Sequence, residues 1–363
     1  MRVDIVQPCV PRYRVEFFER LIESLSREGV TVRVLAGRPS GDQALRSDAV
    51  VPPWVTPIEQ FSVRVPGGTV SGVRGRRPWR GGSGVVLPLI GSSPDFVRAL
   101  ADRAQGSRLG LWGHVGSYVA RGSRIDLAAE RWMMRRADHV FAYTPHGGLQ
   151  AELAGVDPTR ISVVMNAGPT DALEAARDAV NEAQVASFRT RYGLGDAPLL
   201  AVVGGLDHAK RLDLLCRSLD VLHESDPDVR VVVAGAGAGA AIFDESVARG
   251  QTVLVGYAGP EQLATIAAAS RALANPGRIG LVAVDALVLG LPVVTAAGSH
   301  HGPEVEYLTE GSTLITAADH PEAFATALAT AVRASGSSMS TTGYPTVAGM
   351  AERFSRGVLT MLG

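Results

Sequence analysis

Short runs of branched apolar residues alternate with amphipathic stretches of helical spacing, and the chain goes through this alternation twice. In the first half, strand patterns fall at 3–6, 31–35, 109–112, 140–143 and 161–165, with helical patterns at 16–28, 95–105 and 127–137 between them. Residues 16–28 (EFFERLIESLSRE) place Phe17, Leu21, Ile22 and Leu25 on one helical face. The second half repeats the logic. Its strand patterns are 199–203, 229–234, 253–255, 272–274 and 293–295, and its helical patterns are 212–224, 260–270, 281–289 and 321–334. A last helix is expected over 347–361. Strands that are apolar throughout must be covered on both faces, which requires parallel sheets with helices on either side.

At 363 residues the chain exceeds the usual size of one domain, so two α/β domains are expected. The break is placed in the polar, alanine-rich stretch 169–195, with the linker near 169–175 and a second linker over 335–342. A hydrophobic content of 46% against 20% charged residues supports two packed cores. A net charge of −1 gives no general attraction to nucleic acid. No run approaches the ~20 apolar residues of a membrane span, and residues 1–8 read as a strand without a signal-peptide core. A cytoplasmic location is therefore expected. Cys9 and Cys216 are too few and too far apart for a disulfide framework. One stretch breaks the rhythm. Residues 67–84 are rich in glycine and carry Arg74, Arg76, Arg77 and Arg80, which suggests a mobile cationic loop. It is either a solvated insertion or a dock for an anionic acceptor or lipid headgroup.

Ligands of open parallel sheets bind at the carboxyl ends of the strands. Two tandem domains would leave a cleft there, and His114, Asn166, Gly204, Gly205 and Asn275 all follow strand patterns. Residues 275–292 (NPGRIGLVAVDALVLGLP) open with a turn and run into an apolar helix holding Asp285. A helix starting near Gly280 would present free N–H groups and a positive dipole end to an anion. Gly204 and Gly205 would admit phosphates close to the backbone, while Lys210 and Arg211 supply full charges. Ionised Asp285 only accepts hydrogen bonds. It suits a pair of ligand hydroxyls or, more plainly, a first-turn carboxylate favoured by the dipole. His114 is a cleft-edge candidate or a loop histidine bonded to backbone. His300 and His301 are adjacent and poorly placed to share a metal, and zinc-ligand spacing is absent. Glu304 and Glu306 would face opposite ways in an extended segment. The run Gly235-Ala236-Gly237-Ala238-Gly239 lacks the Gly-x-Gly-x-x-Gly spacing of a dinucleotide site.

Residues 202–213, VVGGLDHAKRLD, resemble the start of the second domain in retaining glycosyltransferases of the GT-B fold, the large family 4 group. The family's Gly-Arg-Leu and Lys-Gly stand here as Gly204-Gly205-Leu206 and Lys210-Arg211. The strand and turn VVVAGAGAG, and Val253-Leu254-Val255-Gly256, are similar to its next two strand ends. The family's two glutamates correspond to Gly277 and Asp285. His301-Gly302-Pro303-Glu304, Pro11-Arg12-Tyr13-Arg14 and Trp112-Gly113-His114 resemble a bacterial branch.

The resemblance implies an α/β chain of GT-B architecture, with two Rossmann-like domains facing each other across a cleft. Its acceptor domain would be 1–170 and its nucleotide-sugar domain 171–345, with a helix in 346–363 packing back on the first domain. It implies transfer of a UDP- or GDP-linked sugar to a hydroxyl acceptor with retention of configuration, the acceptor being a glycan, a lipid-linked group or a small molecule. Neither metal nor cofactor would be needed, and nucleic acid would not be a partner. The Arg-rich loop would give peripheral contact with the inner face of a membrane. His114 and Lys210 are implied as catalytic. Gly204, Gly205, Lys210, Arg211, Gly256, Tyr257, Arg278, Ile279, Gly280, Leu281, Val282 and Asp285 would hold the donor. Arg12, Tyr13, Arg14 and Asn166 would hold the acceptor. Gly205 and Gly277 depart from the pattern, and they keep a non-catalytic nucleotide-sugar-binding protein or partner subunit open as an alternative. A sugar-nucleotide epimerase is a further alternative on the same fold.

Overall fold

The computed structural model describes residues 1–39, 49–65, 68–116, 124–334 and 343–363. The expected linker at 335–342 lies outside these. The chain divides into two compact units, Met1–Pro169 with Pro345–Gly363, and Thr170–Tyr344. Where a linker is expected at 169–175, the helix Thr170–Ala179 already runs and packs on the second unit's helices Pro260–Ala269 and Val282–Leu289. Its buried Leu173 and Ala176 explain why a polar, alanine-rich stretch is held as a helix there.

The first unit contains strands β1 (Arg2–Gln7), β2 (Val10–Pro11), β3 (Thr31–Ala36), β4 (Ala49–Val50), β5 (Val55–Pro57), β6 (Gln60–Val65), β7 (Gly68–Val73), β8 (Gly84–Pro88), β9 (Arg108–Gly113), β10 (His139–Ala142) and β11 (Ile161–Val163). Among the described residues seven of them form a parallel sheet in the order β11-β10-β9-β8-β1-β3-β5. The strand order reverses at the β1/β8 junction. Strand β8 (GVVLP) escapes the sequence reading because its short apolar run sits directly after the glycine-rich stretch.

Among the described residues of that stretch, Gly68–Val73 form a strand and 74–83 are turns held to the fold. β6 and β7 pair antiparallel as a hairpin, and the following residues are tied to the helix Asp95–Arg103. Asp95 accepts the Val73 N–H at 2.8 Å, and Arg98 donates to the carbonyls of Val73 and Gly75. Trp79 is 1% exposed and donates its indole N–H to Asp102, which also pairs with Arg77. A buried tryptophan anchors the segment, so glycine content alone misleads.

The helix Val347–Leu362 belongs to the first unit. Its buried positions Val347, Met350, Ala351, Phe354, Val358 and Met361 form one apolar stripe. Phe354 stacks on Phe141 at 4.2 Å and meets Trp112 and Phe17 edge-on. Without this helix those aromatic groups would face water. Gly357 lets it approach, since a Cβ there would lie 2.6 Å from the Phe141 ring.

The second unit contains β12 (Leu199–Val203), β13 (Arg230–Ala234), β14 (Thr252–Gly256), β15 (Ala272–Ala274), β16 (Val293–Ala296) and β17 (Leu314–Ala317). They form a parallel sheet in the order β14-β13-β12-β15-β16-β17, reversing between β12 and β15. Alternate side chains of one strand feed two cores: Leu199 and Ala201 point to one face, Leu200 and Val202 to the other. This explains why the strands read as unbroken apolar runs. Both units have the doubly wound arrangement expected for the GT-B architecture.

Candidate functional site

The reversal between β12 and β15 places the loop after Val203 beside the turn after Ala274. A small, partly open recess lies between them and is lined by Gly204, Gly205, Lys210, Asn275 and Pro276 among others. This is the crevice at a topological switch point where ligands of such sheets bind.

Gly204 has φ +115°, a conformation that L side chains rarely adopt, and a Cβ there would touch the Lys210 side chain at 3.7 Å. Gly205 is exposed with open space around its α-carbon. The run 235–239 has a structural purpose. A Cβ at Gly235 would collide with the Gly204 carbonyl, and one at Gly237 or Gly239 would press on the Leu206 carbonyl. These glycines let two strand-end loops touch, so the run needs no bound dinucleotide to account for it.

Lys210 donates from Nζ to the Arg278 carbonyl at 3.1 Å. Burial pulls its ammonium from the ordinary 10.5 down to about 8, opposed by the charges of Asp207 and Asp285. Asp285 lies in the first turn of the helix Val282–Leu289, whose N-cap residue Leu281 provides no side-chain cap. Burial pushes its carboxyl from 3.8 up to about 6, and Lys210 pulls the other way. An ammonium, an uncapped helix N-terminus and a carboxylate thus sit together. They can offer donors to a diphosphate and acceptors to hydroxyls.

Gly277 is the departure that most needs a structural account. A Cβ built there falls on the Ala209 carbonyl oxygen and within 2.6 Å of the Lys210 Cα. The backbone of residues 209–210 therefore occupies the space a side chain would need, and the Arg278 N–H donates to the Ala209 carbonyl at 2.7 Å. Glycine at 277 goes with a loop that has closed in and carries Lys210 toward the turn.

The turn is braced from the other side. Ser299 donates to the Pro276 carbonyl at 2.6 Å, His301 Nδ1 accepts the Ile279 N–H at 3.2 Å, and the Gly302 N–H donates to the Ile279 carbonyl at 2.5 Å. Burial holds His301 below the ordinary histidine value of 6.5. The sequence reading left His301 without a role, because nothing local links it to a turn more than twenty residues earlier. Residues 303–307 form a 3-10 helix (Pro303–Tyr307) rather than an extended segment. Glu304 is nonetheless buried and Glu306 exposed.

Other expected donor residues are placed differently. The Arg211 guanidinium is held by Asp319 at 2.6 Å and by Ser299, so it braces the loop instead of standing free for phosphate. Gly256 and Tyr257 end the edge strand β14, two strands from the recess, or about 10 Å. Tyr257 is 80% exposed. Arg278, Gly280, Leu281 and Val282 are half-buried around the turn and helix start, while Ile279 is buried.

In the first unit, the structure groups Tyr13, Arg14, His114 and Asn166 at the carboxyl edge of the sheet. Arg14 is 4% exposed and donates to Asn166 Oδ1 at 2.5 Å. Its guanidinium lies 5.2–5.8 Å from the ring centroids of Tyr13, Phe17, Trp112 and Tyr143. Rather than facing an acceptor directly, Arg14 is a cation enclosed by aromatic faces that holds Asn166 in place. His114 packs on Tyr143 with ring centroids 4.4 Å apart. Arg12 is exposed. Among the described residues no group of three or more His, Cys, Asp or Glu is placed to hold a metal ion, and no helix is long and apolar enough to cross a membrane.

Residues 197–334 match the family model described as "Glycosyl transferases group 1". No curated protein sequence matches the chain. Among solved structures, HepE of Anabaena in complex with UDP is similar at 15% identity and a TM-score of 0.60, covering 99% of this chain and 97% of its own. A glycosyltransferase from Rickettsia africae gives 12% identity and a TM-score of 0.62 over 99% and 95% of the two chains. The UDP-GlcNAc 2-epimerase of Methanocaldococcus jannaschii gives 14% identity and 0.58 over 99% of each. Transferases and epimerases thus share this fold.

Proposed function

We propose that this chain, whose residues 197–334 match the group 1 glycosyl transferases, transfers a sugar from a nucleoside diphosphate to a hydroxyl acceptor with retention of anomeric configuration. The observation that carries the reading is the meeting of Lys210, an uncapped helix N-terminus and Asp285 beside the switch-point recess. The leaving nucleoside diphosphate gains negative charge as the glycosidic bond breaks. Lys210 and the N–H groups around residues 280–282 are fixed before reaction and would stabilise that charge, the kind of contact whose loss typically costs ~3 kcal/mol. Ionised Asp285 would accept from the ribose hydroxyls. HepE binds UDP on the same fold, which supports UDP as the first nucleotide to test. Retention is carried over from the family resemblance. Neither a metal nor a cofactor is assigned a step.

Acceptor selection is assigned to the first unit, to Tyr13, Asn166 and His114, with Arg14 as the support beneath Asn166. Arg74, Arg76 and Arg80 are exposed, and the adjoining hairpin exposes Val63 and Val65 at 53% and 39%. This cationic, partly apolar surface fits an anionic bilayer, which would place the protein at the inner membrane face. Co-sedimentation with anionic but not neutral vesicles, lost in the Arg74→Glu/Arg76→Glu/Arg80→Glu variant, is the expected result. Equal binding to neutral vesicles would reject it.

The main test is calorimetric titration with UDP-glucose, GDP-mannose and ADP-glucose, followed by NMR of the product's anomeric carbon with an acceptor present. Tight binding of one donor, lost in Lys210→Ala and Asp285→Ala, supports the site. A bound donor that is never consumed would make this a binding protein, and conversion of the donor to its epimer without acceptor would make it an epimerase.

A further inference from the structure

The turn at residues 275–280 cannot be braced by a side chain of its own at 277, because the backbone of Ala209 and Lys210 fills that space. Its support comes from residues 299–302, directly after the strand end at Ala296. Ser299 holds the Pro276 carbonyl, the Gly302 N–H holds the Ile279 carbonyl, and His301 takes the Ile279 N–H. Of these, His301 is the support whose side chain reaches a backbone donor at the start of the helix. We propose that His301 is a positioning residue for the donor site, acting as a neutral hydrogen-bond acceptor that fixes the turn between Lys210 and the helix Val282–Leu289.

Three links connect the ring to the donor site. Ile279 is completely buried, so its N–H has no access to solvent and needs an acceptor inside the fold. A ring nitrogen that accepts carries no proton, so Nδ1 must be bare and the ring neutral with its proton on Nε2. Burial holds the ring's pKa down and outweighs the nearby Gly277 backbone, which favours the protonated ring. The next carbonyl along, Arg278, accepts both from Lys210 Nζ and from the Asn275 amide. If the turn shifts, Lys210 loses its anchor and the helix N-terminus is re-aimed. His301 therefore acts on the donor through the turn, not by touching it.

The charged and titratable groups around the ring agree with a neutral imidazole. His300 beside it and Lys210 facing it both disfavour its protonation, as does burial. The Glu304 carboxylate lies near Gly302 and Gly280, and Arg278 and Asp285 belong to the turn and helix that the ring supports. Asparagine can present its Oδ1 close to where the imidazole presents Nδ1. It supplies the accepting atom without a titrating ring.

This inference rests on the proposed donor site, and the experiment separates the two. Nucleoside diphosphate and nucleotide-sugar affinities are measured for the full chain, for His301→Phe, which keeps a ring but lacks the acceptor, and for His301→Asn. Removing one acceptor from a buried N–H should weaken donor binding about tenfold in His301→Phe, while His301→Asn stays within about threefold of the parent chain. In ¹⁵N spectra of the parent chain at neutral pH, His301 should show an unprotonated Nδ1 and a protonated Nε2. If the parent chain binds a donor and His301→Phe binds it equally well, the positioning role is overturned while the donor site stands. If His301→Asn is as impaired as His301→Phe, or the spectra show a proton on Nδ1, the acceptor role is overturned. A parent chain that binds none of the nucleotides overturns the donor site itself. Should His301→Phe not fold, His301→Asn and the spectra decide the matter by the same criteria.

Discussion

Placing a glutamate at position 277, where the glycosyltransferases this sequence resembles carry one, should damage this protein. Gly277 is not among the residues with positive φ, so its backbone would tolerate any side chain, and the obstacle is space alone. A Cβ there meets the Ala209 carbonyl oxygen and the Lys210 Cα, both backbone atoms that cannot rotate away. To fit a side chain, the 207–211 loop has to back off. That breaks the Arg278 N–H bond to Ala209 and the Lys210 bond to the Arg278 carbonyl. Overpacking of this kind and the lost hydrogen bonds together amount to roughly 2–4 kcal/mol. For a domain of this size that lowers the melting temperature by roughly 5–15 °C. Gly277→Ala should show most of the loss, because the first carbon makes the clash. Differential scanning calorimetry and donor titration on Gly277→Ala and Gly277→Glu check this. A Gly277→Ala protein that melts within a degree of the parent with unchanged donor affinity would refute the steric account, as would a Gly277→Glu variant with raised activity.

The remaining predictions concern charge and packing. Donor affinity should be greatest between about pH 6 and pH 8, since Asp285 must be ionised and Lys210 protonated. A nucleotide-sugar titration across pH that stays flat through this range would contradict the pairing. Asp285→Asn should raise the melting temperature of the unliganded protein at pH 7 by a few degrees while abolishing donor binding. The sign follows because the folded carboxyl has the higher pKa, so its stabilising contribution, present below the unfolded value of 3.8, is lost as pH rises through about 6. Calorimetry of that variant showing a lower melting temperature would contradict the sign. Lys210→Ala should reduce turnover by roughly a hundredfold or more, measured with saturating donor. Trp79→Ala removes a fully buried side chain and should cost about 3–5 kcal/mol. It should also make the Arg74–Arg80 segment quickly cleaved by trypsin, whereas the parent chain resists.

The α/β alternation and the two-unit plan were legible in the sequence, because apolar periodicity is a local property and each strand needs both faces covered. The strand-end positions of Gly204 and Asn275, and the place of Asp285 early in the following helix, came from the same alternation. The hairpin β6–β7 and the strand β8 were not legible. Their glycine and arginine content signals a loop, and only cross-strand pairing and the burial of Trp79 decide otherwise. Contacts between residues far apart in the chain were equally hidden. No local pattern says that Arg14 is enclosed by four aromatic rings, that Arg211 is held by Asp319, or that His301 braces a turn at residues 275–280. Gly277 shows the difference most clearly. From the sequence it is a missing carboxylate, and its meaning depends on the backbone of residues 209–210, which only tertiary packing brings into the space the side chain would fill.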